Sequence, residues 1–582
     1  MSRTTSIAAV RRVAAGALLL TGLSTTAGAQ VASALLVEDG VIPGAGGATA
    51  DALNNTAVNH AGGYAISVTS SDGVSRVWGD ANGGAGAVMR AESTIGDYVQ
   101  NSFESFYGIS NSGQVAYSAS CDDTVLGLTG LDTVWLDDAP LAVEEDPVPG
   151  IDDNYWTFAS RPGVTADGIP YWVGGVSPTQ GGSTQQRGLW TGVNADLLYL
   201  AAQAVPGLPF PIAPTGSVID FDYRFSEFGN RHLVPVNMAT GSTSDDGTII
   251  KTGAGLMLDG SLVAEATPVP AAVGGLPGEN WDNFDFMGIT ESDKYLFTGD
   301  TDGDTATDEF IVVNGLIAHR EGDVLDGFVL SGGIEGAYMN ADGDVAFIWD
   351  VDDPQLGNVE ALYVNGQLLL KEGDEVDLDG DGVIDPGAVV SSFTGISTLT
   401  LGDRAMDGTI NVYFTADVDT DGTTTTTDDV EGFFCMNVQG AECFLVFGPG
   451  PGESVFLPGS HAFLTQVGDV SASWAVLLDD IPEFELTTQN VVGGALGGPK
   501  NNPFGTEYVT DRFAVQVVMW NPYVFPGQPE QWTPGLEVEV LPSGRVRTTQ
   551  YGSSTGMDIW AEVVTKRDGT RVVRFPFSIP GF

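Results

Sequence analysis

A short turn signature returns along this chain at intervals of 50 to 65 residues, averaging 58. Its complete form is Asn340-Ala341-Asp342-Gly343-Asp344-Val345-Ala346-Phe347, or N-x-x-G-x-x-A-F. Related stretches run Asn59 to Gly62 before Ala65-Ile66, Ser110 to Gly113 before Ala116-Tyr117, Thr165 to Gly168 before Tyr171-Trp172, and Ser226 to Gly229 before His232-Leu233. A copy with Asp293 in place of glycine precedes Leu296-Phe297, and further copies centre on Gly408 and Gly468. A period of this size means an array in which each unit buries its neighbour's apolar face.

Each period holds a second landmark. Leu362-Tyr363-Val364-Asn365-Gly366-Gln367-Leu368-Leu369-Leu370 reads as two strands joined by Asn-Gly, the pair that tolerates the positive φ of a type I′ hairpin. Asn314-Gly315, Asp259-Gly260, Asp137-Asp138 and Asp39-Gly40 stand between apolar runs in the same way, the last between Leu35-Leu36-Val37 and Val41-Ile42. With the strands flanking the N-x-x-G turn, each unit has four short antiparallel strands. Four strands per repeat, seven or eight times over, is the composition of a β-propeller, expected over residues 30–490. The 78 glycines and 30 prolines suit a chain this rich in turns. A Gly/Pro-rich linker near Pro499 separates the array from 500–582. There alternating segments such as Phe513–Met519 and Leu536–Val540, and a hairpin about Asp568-Gly569, predict a small antiparallel β-domain.

On the N-x-x-G-x-x-A-F motif, complete at Asn340 to Phe347 and looser elsewhere, residues 30–490 resemble the exported bacterial proteins named for tandem repeats of this kind. The resemblance implies a propeller-like fold and export, and carries no established enzymatic activity. That family usually ends in a C-terminal anchor. Here the last residues, Arg574 to Phe582, show no apolar span followed by a basic tail.

The N-terminus agrees with export. Arg3, Arg11 and Arg12 precede the apolar run Val13 to Leu20, and Ala27-Gly28-Ala29 fits a signal peptidase, so residues 1–29 read as a cleaved leader. The run is shorter than the ~20 residues needed to span a bilayer, and no later segment reads as a membrane span. The expected location is secreted, extracellular or in the cell envelope. Of three cysteines, Cys435 and Cys443 flank a segment that reads as a hairpin turn and could be bridged, while Cys121 reads as a small buried residue.

Net charge is −55, concentrated between 30 and 499, where 11 Lys and Arg face 69 Asp and Glu. Such a surface repels nucleic acid and anionic membranes and selects cations as partners. Three loops have the spacing of calcium ligands. Asp377, Asp379, Asp381 and Asp385 alternate with turn residues, with Val383 at the carbonyl position. Asp417, Asp419 and Asp421 precede Gly422, Thr423 offers a carbonyl and Asp428 closes the loop. Asp300, Asp302, Asp304 and Asp308 form the third candidate. Calcium in such loops is expected to be structural.

Aromatic and acidic residues cluster at Asp152 to Trp156, Asp220 to Tyr223 and Trp281 to Phe284. They read either as sugar-stacking surfaces or as packing between blades. The four histidines are scattered: His60, His232, His319 and His461. No H-E-x-x-H, G-x-S-x-G, Walker loop or zinc-type cysteine pair occurs. Catalysis therefore has no assigned residues. The sequence points to a calcium-stabilised propeller that binds or scaffolds, its partners divalent cations and an extracellular glycan or surface protein. The alternative is an extracellular propeller enzyme acting on a carbohydrate or other polymer.

Overall fold

Each N-x-x-G stretch forms a tight turn because its first residue supplies an oxygen where the backbone needs an acceptor. In the computed structural model the side chains of Asn59, Ser110, Thr165, Thr290 and Asn340 each accept the amide N–H four residues on, and Ser226 accepts that of Arg231. The fourth position lies in the left-handed region, with φ from 73° at Gly229 to 89° at Gly168. Glycine reaches it without strain. Asp293 takes the same place at φ 71° and is held by Lys251 Nζ at 2.7 Å.

The second landmark locks onto the first. Asn314 and Asn365 have φ near 50° and their side-chain oxygens accept the N–H of Tyr295 and Val345, the residues that begin the strands after the turns. Asp137 does the same for Val115. A hairpin and a turn separated in sequence are thereby fixed as neighbours on one end of each sheet.

The structure describes residues 31–214, 222–242, 246–394, 398–405, 409–422 and 429–439, with the backbones of several strands between 454 and 575. The expected leader, 1–29, lies outside the described residues. Among those described, every regular element is a strand, and no helix is long and apolar enough to cross a membrane.

The strands form a seven-bladed β-propeller of antiparallel sheets. Blade 1 spans 50–91, blade 2 94–143, blade 3 155–200, blade 4 224–255, blade 5 287–320, blade 6 324–371 and blade 7 389–439, while the expected hairpin about Asp259-Gly260 pairs Met257–Leu258 with Ser261–Leu262 as a two-stranded sheet of its own. The first long strand of each blade lies nearest the axis. The Ala and Phe positions of the motif sit in the second strand and point to opposite faces. Ala346 packs into the layer shared with blade 7, and Phe347 into the layer between blades 5 and 6. That alternation is how one strand fills two inter-blade cores.

The ring closes with a strand from its other end. Ser33–Val37 pairs antiparallel with Val430–Gln439 and becomes the outermost strand of blade 7. This corrects the expected hairpin about Asp39-Gly40: Leu36 and Val37 face Phe433 and Gly432, not Val41-Ile42. It also decides the blade number, because blade 7 is complete at Gln439. Strands flanking Gly468, Ala462–Val467 and Ala472–Leu478, belong to a separate four-stranded sheet with Ser454–Phe456 and Val515–Met519. Strand pairing therefore crosses the expected linker. The remaining strands, from Lys500–Asn502 to Arg571–Phe575, form the predicted antiparallel sheet, six strands wide, including the hairpin of Ile559–Thr565 with Arg571–Phe575.

Met436 to Gln439 continue the strand Val430–Gln439 instead of forming the expected turn, and Cys443 lies outside the described residues. Cys121 is fully buried beside Thr133 Oγ1, and burial raises its thiol above the ordinary value.

Candidate functional site

Strand alternation sorts the loops onto two faces. The N-x-x-G turns and Asn-Gly hairpins share one, so connections between second and third strands, and between blades, lie on the other. All three acidic loops fall there, although the 300 and 417 loops join strands within a blade and the 377 loop joins blade 6 to blade 7.

Of the acidic loops, the first gathers its carboxylates. One oxygen each from Asp377, Asp379 and Asp385 lies within 4.8 Å of the others. Asp377 is fully buried, and its carboxylate accepts N–H groups from Gly380, Asp381 and Gly382. Three of about four lone-pair sites are thus used and one remains for a cation. Asp385 Oδ2 accepts the N–H of Leu378 and Asp379. An N–H from Asp381 lowers the Asp379 pKa, but desolvation and the charges of Asp381, Asp385 and Asp377 leave it raised. A divalent cation would relieve that repulsion. Asp381 turns its carboxylate to the Val383 N–H, and the Val383 side chain is exposed.

The loop also grips the closing strand. Asp377 N–H donates to Ala32 O at 3.0 Å and Ala34 N–H to Asp377 O at 2.8 Å. Gly380 has φ 73°, and a Cβ there would stand 2.7 Å from Ala34 O of the closing strand.

Among the described residues, the other two loops bring no three carboxylates together in this way. Asp417 and Asp419 sit in the extended strand Thr409–Asp419, where residues two apart are ~7 Å apart along the chain. Asp417 accepts from Ser392 Oγ, and Asp419 accepts the N–H of Asp421 and Gly422. Thr423 and Asp428 lie outside the described residues. In the third loop Asp302 is held by Asn280, Asp304 by the Ala306 N–H. Asp300 and Asp308 instead approach other acids. Burial, then the hydrogen bond and charge of Asp300, push Glu309 far above its ordinary value, and Asp308 adds to the burial that raises Glu321.

The opposite face carries a site that the sequence did not reveal. The turns link blade to blade around the axis: Asn59 Nδ2 donates to Ser110 O, Asn111 N to Ala166 O, and Ala166 N to Glu227 O. Ser226, Phe228 and Asn230 donate to the Glu291 carboxylate, and Lys294 Nζ to Asp342 O. Asn340 Nδ2 donates to Gly402 O and Ala341 N to Asp403 Oδ1, and Asp403 Oδ2 meets His60 Nδ1 at 2.8 Å. The circuit is closed. Desolvation alone would lower His60, but the hydrogen bond and charge of Asp403, with the charges of Glu227 and Asp342, leave its pKa raised. Glu227 and Asp342 are themselves raised, first by desolvation. Behind this mouth an axial cavity of about 170 Å³ is lined by the first strands of the blades.

The aromatic clusters resolve as packing. Trp156, Tyr223 and Trp281 are buried to 3% exposure or less, Phe284 is buried with them, and Asp220 and Phe221 lie outside the described residues. His232, in the Ala position of its repeat, is buried against the Tyr199 hydroxyl at 2.7 Å, and burial pushes its pKa down to about 4.

No family model matches the chain, and no curated protein matches it in sequence. Among solved structures it is similar to the WD40 domain of SCAP from fission yeast, at 9% identity and TM-score 0.28, covering 71% of this chain and 92% of that one. AofleA from Arthrobotrys oligospora is 11% identical at TM-score 0.24, covering 56% and 92%. The dihydro-heme d1 dehydrogenase NirN is 12% identical at TM-score 0.26, covering 66% and 67%. At these scores no likeness adds to what the strand order itself shows, a seven-bladed β-propeller.

Proposed function

We propose that this chain is an exported, calcium-stabilised binding or scaffold protein of the N-x-x-G-x-x-A-F repeat kind. The observation that carries the calcium reading is the placement of Asp377, Asp379 and Asp385 within 4.8 Å on the loop that holds the closing strand. A propeller has one weak seam, where the two ends of the ring meet. An ion at this loop would cancel carboxylate repulsion and favour the closed ring by preferential binding to the folded state. Export rests on the leader-like residues 1–29, and a glycan or surface-protein partner rests on the acidic, turn-rich surface.

Melting curves in chelator and in millimolar calcium test the reading. Calcium is expected to raise the melting temperature, and Asp379→Asn with Asp385→Asn to abolish the rise. An unchanged melting temperature would remove calcium from the account.

A second reading, an extracellular propeller enzyme, is favoured by one observation: the His60 and Asp403 pair, with Glu227 and Asp342, stands at the mouth of the axial cavity. A glycan array with and without chelator separates the two, since product formation belongs only to an enzyme.

A further inference from the structure

On the face that carries the turns, the blades are tied to one another around the axis, and most of the ties are indifferent to pH near neutrality. Asn59 Nδ2 to Ser110 O, Asn111 N to Ala166 O, Ala166 N to Glu227 O and Asn340 Nδ2 to Gly402 O all end on backbone carbonyls. Lys294 keeps its charge where it holds Asp342 O. Burial would raise Glu291, but Ser226, Asn230 and Phe228 donate to its carboxylate and leave it lowered, so it titrates only in acid. The seam between blades 7 and 1 differs. Among the described residues its tie on this face is His60 Nδ1 with Asp403 Oδ2 at 2.8 Å, and histidine is the side chain that changes charge near neutral pH.

Asp403 joins three blades, because its Oδ1 also accepts the Ala341 N–H of blade 6 at 3.0 Å. The charges that face the imidazole come from around the axis: Asp403 of blade 7, Glu227 of blade 4 and Asp342 of blade 6. Of the cations on this face, Arg404 donates from Nε to Asp344 at 3.1 Å and Lys294 from Nζ to Asp342 O at 2.9 Å, while Arg161 and Arg224 line the axial cavity. The other seam bonds lie earlier in the first strand of blade 1: Thr56 Oγ1 donates to Thr398 O, Thr400 Oγ1 to Thr56 Oγ1, and Leu53 N–H to Glu431. Desolvation opposes the charge on His60, but Asp403, Glu227 and Asp342 outweigh it, so its stabilisation is full below 6.5 and is lost as pH climbs through the folded value. Glu227 and Asp342 are also raised, first by desolvation. A rise in pH therefore discharges His60 and completes the ionisation of both acids. Each change adds negative charge at one point of the seam.

We propose that His60 and Asp403 form a proton-operated clasp on the turn face of the seam, closed while the imidazole is charged and loosened once it is neutral. A neutral ring still donates from Nδ1, so losing the proton weakens the clasp without cutting it. What goes is the charge that offsets the three carboxylates. The clasp is independent of the calcium loop, which lies on the opposite face, and of what the protein binds.

Hydrogen exchange of the full chain in chelator, at pH about 6 and about 8.5 and expressed as protection against the intrinsic rate at each pH, tests it. Residues 59–64 of blade 1 are compared with 165–170, the corresponding turn of blade 3. Between the two pH values protection of 59–64 is expected to fall about threefold or more beyond any fall at 165–170. His60→Lys keeps the charge and should hold the acid-side protection at the higher pH. His60→Gln keeps a donor without the charge and should show the lower protection at both. Asp403→Asn keeps an acceptor for Ala341 and should likewise abolish the step. Equal loss in the two turns, identical behaviour of His60→Lys and His60→Gln, or a full step in Asp403→Asn would overturn the proposal.

Discussion

Asn340 shows why the motif begins with asparagine. Its oxygen accepts the Asp344 N–H within the turn, while its nitrogen donates to Gly402 O in the next blade and to Asp344 Oδ2. Serine and threonine, used in blades 2 to 5, keep the first role, and Asn59 and Asn340 add a cross-blade bond from the amide. Asn340 is buried to 3% exposure, so removing it strands partners away from water. Asn340→Ala is expected to cost about 2 kcal/mol, read from a denaturant midpoint with unchanged slope. Asn340→Asp keeps the acceptor, loses the donor and adds charge beside Asp344, so it should be the more harmful of the two at neutral pH.

Strands and turns were legible because their signals are local: Asn365-Gly366 needs two residues to specify a hairpin, and the motif alternation needs one strand. The closing strand was not, since Leu36 and Val37 carry no mark of Phe433 and Gly432, their partners from the far end of the ring. The axial residues were hidden for a related reason. His60 and Glu227 occupy the second place of two different turns, Asp403 stands two residues before the turn centred on Gly408, and only the ring brings them together. The place that His60 and Glu227 share was a signal for those two, and Asp403 had none. Acidic spacing was legible as spacing alone: the Asp377 loop gathers three of its carboxylates, whereas of the 417 loop the described residues Asp417 and Asp419 stand in an extended strand, with Thr423 and Asp428 outside the described residues. If the Asp377 loop is the clasp, calcium should slow amide hydrogen exchange in Ser33–Val37 more than in Ala50–Val58. Exchange measured by mass spectrometry on both segments, with Asp385→Asn as control, checks this; equal slowing would deny the loop a local role.

Across the whole ring, burial of acids makes the pH response unusual. Burial comes first among the causes that push Glu360 and Glu431 up to about 7 and Asp132 to about 6, against ordinary values of 4.5, 4.5 and 3.8. Glu360 and Glu431 accept the backbone N–H of Phe393 and Leu53 in the next blade, at or beside register slips that free those groups. A raised value means that the native state binds more protons than the unfolded chain between the two pKa values. Stability from these groups is therefore full below pH about 4 and falls as pH rises through 6 and 7. His60, also raised, has the same sign: its contribution is lost as pH climbs past its folded value. Lowered acids such as Asp353, held by the N–H groups of Gln355 and Leu356, and Glu291, held by Ser226, Asn230 and Phe228, oppose the trend only in stronger acid. In chelator and low salt the melting temperature should therefore rise by several degrees from pH 8 to about 5.5, then fall in stronger acid. Salt near 1 M, where the Debye length is about 3 Å, should flatten the part due to exposed charge and leave the part due to burial. Glu431→Gln removes one buried proton site while keeping an acceptor for Leu53, so it should raise the melting temperature at pH 8 and leave it nearly unchanged at pH 5.5. A variant curve parallel to the parent across that range would mean that Glu431 is charged and content in the folded ring at both pH values.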